Sequence, residues 1–151
     1  MEHARRVGNE VTFLLLIICL AFSVFAHSQP NKVPGVKVTG TYTDMCYNTQ
    51  GGDVLGMEVG IVVSRDGYFA IFQASEGEPS VPVVVKVIVK NQEVQFTIPE
   101  GTIFSGTFTG KIDNTGLRGS IEGYSSGYAS KLFLKRQASY WHRELKDRIC
   151  K

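Results

Sequence analysis

The sequence predicts an all-β domain, an eight-stranded antiparallel up-and-down barrel, and three observations carry that expectation. Between positions 37 and 136 apolar and polar residues alternate with a period of two, turn residues recur at short intervals, and no amphipathic helix competes. The strands fall at 37–47, 53–64, 67–74, 81–90, 92–99, 102–112, 115–124 and 129–136. Between them stand Gly51-Gly52, Arg65-Asp66-Gly67, Glu76-Gly77-Glu78-Pro79, Asn91, Asp113-Asn114-Thr115-Gly116 and Ser125-Ser126-Gly127, whose turn chemistry cuts the run into hairpins. Eight strands joined by short turns are enough to close a sheet, and closure removes the exposed edges of an open one.

The alternation also assigns faces. Phe104, Gly106, Phe108, Gly110 and Ile112 share one side of the sixth strand, and Leu117, Gly119, Ile121 and Gly123 share one side of the seventh. Glycine recurring on an inward face suggests a bend, a bulge, or room for a large neighbouring side chain. In the second strand Leu55, Met57, Val59, Ile61 and Val63 point inward, because that choice buries far more apolar surface than Gly56, Glu58 and Gly60, and Glu58 then points out. The fourth strand is apolar on both sides, with Val81, Val83, Val85, Val87 and Val89 opposed to Val84 and Ile88. Its outer residues need cover. Tyr140, Trp141, Leu145 and Ile149 recur at roughly helical spacing, so 139–151 is either a short helix lying on the barrel or a charged tail.

The chain has 151 residues, 16 basic against 14 acidic, with 43% apolar and 20% charged residues. That suits one globular domain and excludes a disordered or collagen-like chain. The charges are interspersed, so nothing offers the basic footprint that nucleic acid requires.

Residues 1–26 read as an export signal. Arg5 and Arg6 precede a charge-free run from Val11 to Ala26, and Val24-Phe25-Ala26 supplies small residues for cleavage after Ala26. A retained anchor is the rival reading, but the run is shorter than the roughly 20 residues a spanning helix needs, so no membrane span is expected after cleavage. Cys19 lacks the small preceding residue of a lipidation site, and Val7-Gly8-Asn9-Glu10 does not continue a twin-arginine signal. The mature chain would then carry a flexible segment at 27–36, a barrel at 37–138 and the tail at 139–151, in the periplasm or outside the cell. Cleavage leaves Cys46 and Cys150, either a disulfide in a compartment that permits one or two free thiols.

Gly40-Thr41-Tyr42 in the first strand and Lys135-Arg136 at the end of the last resemble the lipocalin, fatty-acid-binding and avidin group of barrels. In lipocalins a Gly-x-Trp opens the first strand and a basic residue near the end packs across that ring. Here Tyr42 stands in the tryptophan position. The resemblance implies a lipocalin-like barrel with a cation over an aromatic face at its closed end. The run from Gly52 to Val59, with Glu76-Gly77-Glu78-Pro79 and Ser139-Tyr140-Trp141, also resembles small secreted bacterial proteins of unassigned activity, and that likeness supplies no catalytic residue.

No catalytic residue, metal cluster or cofactor motif emerges. Gly123-Tyr124-Ser125-Ser126-Gly127 has the spacing of a nucleophile elbow, but it joins two strands instead of a strand and a helix, and only His27 and His142 remain as bases. The carboxylates Asp53, Glu58, Glu76, Glu78 and Glu100 are not forced together by spacing. Three expectations follow. A small apolar or amphipathic molecule would bind in a lumen lined by Tyr42, Met57, Phe72, Phe96, Phe104 and Phe108, oriented by Arg65 or Arg136 at the rim. Alternatively the interior is filled, and a protein partner or the envelope is met through the outer face of the fourth strand and Tyr140-Trp141. An isomerase or cyclase is the third, and it needs Glu58 inside.

Overall fold

The computed structural model describes residues 35–123 and 131–151. The export segment, His27, the cleavage site, most of 27–36, the Gly-x-Ser-x-Gly serine and the start of the expected eighth strand lie outside the described residues. The chain divides into units at 1–35 and 36–151, and the second is the barrel.

Among the described residues nine strands run in chain order: β1 (Gly40–Thr43), β2 (Cys46–Asn48), β3 (Asp53–Ser64), β4 (Gly67–Gly77), β5 (Val83–Lys90), β6 (Glu93–Ile98), β7 (Gly106–Ile112), β8 (Gly116–Glu122) and β9 (Leu132–Arg136). Each from β3 to β9 pairs antiparallel with the next, and β1 pairs with both β9 and β3, which closes the cylinder. β1 and β2 lie along β3 in one register, with Thr43 opposite Glu58 and Cys46 opposite Leu55. They are therefore one stave interrupted at Asp44-Met45, and the closed barrel has eight.

The interruption has a local cause. The N–H of Met57 donates to Asp44 Oδ1 at 2.7 Å instead of to a backbone carbonyl, and the N–H of Met45 donates to Thr43 Oγ1 at 3.0 Å. Gly56, with φ of +97°, accommodates the kink, since a Cβ there would lie 2.7 Å from Asp44 Oδ1. Side chains that capture ladder groups compete with regular pairing, so the expected 37–47 strand breaks in two.

The inward set is one core: Tyr42, Met57, Val59, Ile61, Phe72, Val85, Val87, Val94, Phe96, Ile98, Phe104, Phe108, Ile112, Leu117, Ile121 and Leu134, with Ala70 and Ala74. The glycines on the inner face make room for a ring. Gly110 and Gly119 face each other across β7 and β8, and a Cβ at either would lie 2.8 or 2.6 Å from Phe108 Cζ. Phe108 lies over them and stacks on Phe96, centroids 4.8 Å apart.

Several sequence expectations are corrected. β7 starts at Gly106, so Phe104 is buried from the 99–105 loop rather than from a strand. β4 runs on to Gly77, through part of the expected Glu76-Gly77-Glu78-Pro79 turn, and β5 begins after Pro82. Leu55 and Val63, expected inside, are exposed near the ends of β3, where a strand outruns the cylinder. Val84 (70% exposed) and Ile88 (62%) lie uncovered on the outer face of β5, because the tail docks elsewhere.

That tail is not one helix. Tyr140–His142 form a 3₁₀ turn, Leu145–Arg148 form a single helical turn (α1), and of the four residues at helical spacing only Tyr140 is buried. The two turns are short because the chain is fastened at both ends. Glu58 holds Ser139 and Tyr140, and Cys150 is disulfide-bonded to Cys46, 104 residues away, with the Cys150 N–H donating to Tyr47 O at 3.0 Å. In the chain-entropy account a link closing about a hundred residues stabilises by up to ~4.7 kcal/mol.

Candidate functional site

The six residues expected to line a lumen are brought together, but as packing partners: Tyr42, Met57, Phe72, Phe96, Phe104 and Phe108 all belong to the buried core. Ridge and gap match within it, as the Phe108 ring over Gly110 and Gly119 demonstrates.

The two arginines expected at the rim part company. Arg65 lies at the β3–β4 turn with a side chain 95% exposed, 3.6 Å from Asp66, and meets none of the six. Arg136 lies over the Tyr42 ring, its Cζ 4.8 Å from the centroid, and is fully engaged there. Its guanidinium donates to Thr39 O at 3.1 Å, to Lys37 O and to the Tyr42 hydroxyl, while that hydroxyl donates to Val38 O at 2.7 Å. Burial pushes the Tyr42 phenol above its ordinary value, against the lowering effect of the Arg136 charge and hydrogen bond. The cluster ties the chain before β1 across the end of the barrel. It engages the Arg136 guanidinium with the protein's own acceptors instead of a ligand.

The outer face carries a different constellation. On it Glu58 lies between Thr43 and Gln73, and in the next row Gly60 lies between Thr41 and Ile71, with Val84 beyond Ile71. The tail caps the first row. Ser139 Oγ donates to Glu58 Oε1 at 2.6 Å and the Tyr140 N–H to Oε2 at 2.7 Å, so a carboxylate that alternation points outward becomes the mooring of the C-terminal segment. Trp141 Nε1–H donates to Gln73 Oε1 at 2.9 Å, and Gln73 Nε2 donates to Ser80 O at 2.8 Å, which fixes both the indole and the 78–82 loop. Arg143 reaches Met45 O, and Arg148 reaches Trp141 O at 3.0 Å.

The second row stays open. Beside Trp141, 46% exposed, runs a groove of about 500 Å³ with Gly60 on its floor and Ile71, Val62 and Pro82 along its sides. Gly60 gives it depth, since a Cβ there would meet nothing closer than Ile71, 3.9 Å away. Among the described residues Glu58 is the only charged one of its wall, and no lysine, arginine or histidine among them pairs with it.

Sequence reasoning selected Trp141 and the outer β5 face but not Gly60, Val62, Ile71, Gln73 or Ser139. Part of the signal was present: the Arg65-Asp66-Gly67 turn sets a register in which Gly60 must face Ile71 and Glu58 must face Gln73.

The described residues hold no group of three His, Cys, Asp or Glu arranged for a metal, and no helix among them is long and apolar enough to cross a membrane. No known protein family, curated protein or solved structure matches the chain.

Proposed function

We propose that this protein is an exported binding module whose barrel is filled and whose partner, another protein, is met on the outer face of β3, β4 and β5. The observation that carries the reading is the contrast between the two faces. Inside, Phe108 closes over paired glycines and stacks on Phe96. Outside, Val62, Ile71, Val84, Ile88 and Trp141 leave a run of large apolar side chains in water beside a preformed groove. A ligand in the lumen would have to displace the Phe108 ring. A lumen-based acid or base would have to come from a residue other than Glu58, which is bonded to the tail on the outer face.

The Cys46–Cys150 bridge supports export, because such links persist in oxidising compartments. The Arg136–Tyr42 stack, between the last strand and the first, supports kinship with the calycin barrels.

Native mass spectrometry of the gently purified chain tests the proposal. The reading expects a stoichiometric protein partner that is lost from a Val84→Lys, Ile71→Lys variant whose unfolding midpoint is unchanged. A small molecule that co-purifies and leaves only on unfolding would overturn it.

A further inference from the structure

Resting on the surface reading, we infer that the groove beside Trp141 receives a lysine side chain from an apolar segment of the protein partner. Charge selects a cation. Among the described residues Glu58 is the single charged one on the groove wall and has no cationic partner, so an incoming ammonium would complete an ion pair that those residues leave open. The aromatic wall selects the same sign. The indole N–H of Trp141 is already spent on Gln73, which leaves the ring face as what the residue offers, and tryptophan is the strongest of the side chains for holding a cation over its ring.

The shape of the groove selects the rest of the side chain. Between the glycine floor and the flanks of Ile71 and Val62 runs an apolar path, suited to a tetramethylene stem whose charged head emerges at Glu58. Lysine fits better than arginine. Each oxygen of Glu58 already accepts one hydrogen bond, from Ser139 or Tyr140, and keeps one lone pair, so a guanidinium fork would need both remaining lone pairs aligned in one plane, whereas one N–H of an ammonium needs only one of them. The partner is placed by continuity, since exposed Val84 lies across from Ile71 of the groove wall, and apolar neighbours of the lysine would lie there.

Trp141 is the only tryptophan of the chain, so its fluorescence reports the groove directly. The disulfide-linked protein would be titrated with acetyl-Val-Lys-Val-amide, with the norleucine peptide acetyl-Val-Nle-Val-amide, and with the arginine analogue. The expected result is a saturable change with the lysine peptide, roughly tenfold weaker binding of the norleucine peptide, and an intermediate affinity for arginine. Gly60→Val should abolish the response while leaving the unfolding midpoint in place, because the added side chain fills the groove and its Cβ meets nothing closer than 3.9 Å. Equal or tighter binding of norleucine overturns the lysine inference and leaves an apolar docking face standing. A lysine response that survives Gly60→Val, or no saturable response to the lysine peptide, also overturns it. The surface reading fails separately, if the native complex proves indifferent to lysines at positions 71 and 84.

Discussion

Replacing Phe108 with alanine asks whether the barrel is solid. The ring is 1% exposed, stacks on Phe96 at 15° between planes, and occupies the space left by Gly110 and Gly119. Losing it forfeits about 2 kcal/mol of transfer free energy. Beneath the ring lie glycines and strand backbone, which cannot collapse inward, so a void of roughly 80 Å³ at ~24 cal/mol per Å³ adds about 2 kcal/mol more. The sum, about 4 kcal/mol, is a large part of the 5–15 kcal/mol typical of a domain. For a unit spanning 36–151 it corresponds to a fall in Tm of about 15 °C. Urea unfolding of the disulfide-linked chain, followed by circular dichroism, measures it. A loss below about 1.5 kcal/mol would mean that the ring borders open space, and the argument for a filled interior would fail.

Three further expectations follow from other parts of the molecule. Arg136→Met removes the cation over Tyr42 and the donors to Lys37 O, Thr39 O and the Tyr42 hydroxyl, and should cost about 2–3 kcal/mol; Arg136→Lys should recover only part of it, because an ammonium cannot span those acceptors. Gln92 adopts φ of +71° after Asn91 at +49°, a turn that favours Asn-Gly, so Gln92→Gly should stabilise by about 1 kcal/mol, read as a higher urea midpoint with an unchanged slope. Asp113 accepts from the Thr115 hydroxyl, from the N–H groups of Thr115 and Gly116, and from Arg118, with the Thr115 hydroxyl bond doing most to hold its carboxyl below the ordinary range. Its contribution is therefore complete above the unfolded value of about 3.9 and is lost as pH falls through the lower folded value. Comparing urea midpoints at pH 5 and pH 2.5, Asp113→Asn should lose less on acidification than the parent; an identical loss would remove Asp113 from the acid response.

Much of the barrel was legible in the sequence because its determinants are local. Alternation along β3, β7 and β8 set which residues face inward, and of the bend, bulge or large neighbour that inward glycines suggest, Gly110 and Gly119 have the large neighbour, Phe108. The break at Asp44-Met45 was not legible, since it depends on a side chain reaching the backbone of a strand 13 residues away. Phe104 fits the inward pattern of β7, yet the loop carries it, because periodicity marks burial without marking where pairing begins. The groove was the least legible feature. Its floor follows from the β3–β4 register, but its wall exists only because Glu58 and Gln73 capture a tail from the far end of the chain.

Crystals of the disulfide-linked chain held under xenon offer the most direct test of the claim that the inside is full and the outside does the binding. Xenon enters apolar voids that water leaves empty. The account predicts xenon on the outer face, in the groove floored by Gly60, and none within the cylinder. An ordered xenon atom between Phe72 and Phe96 would contradict it and return the lumen to consideration as the binding site.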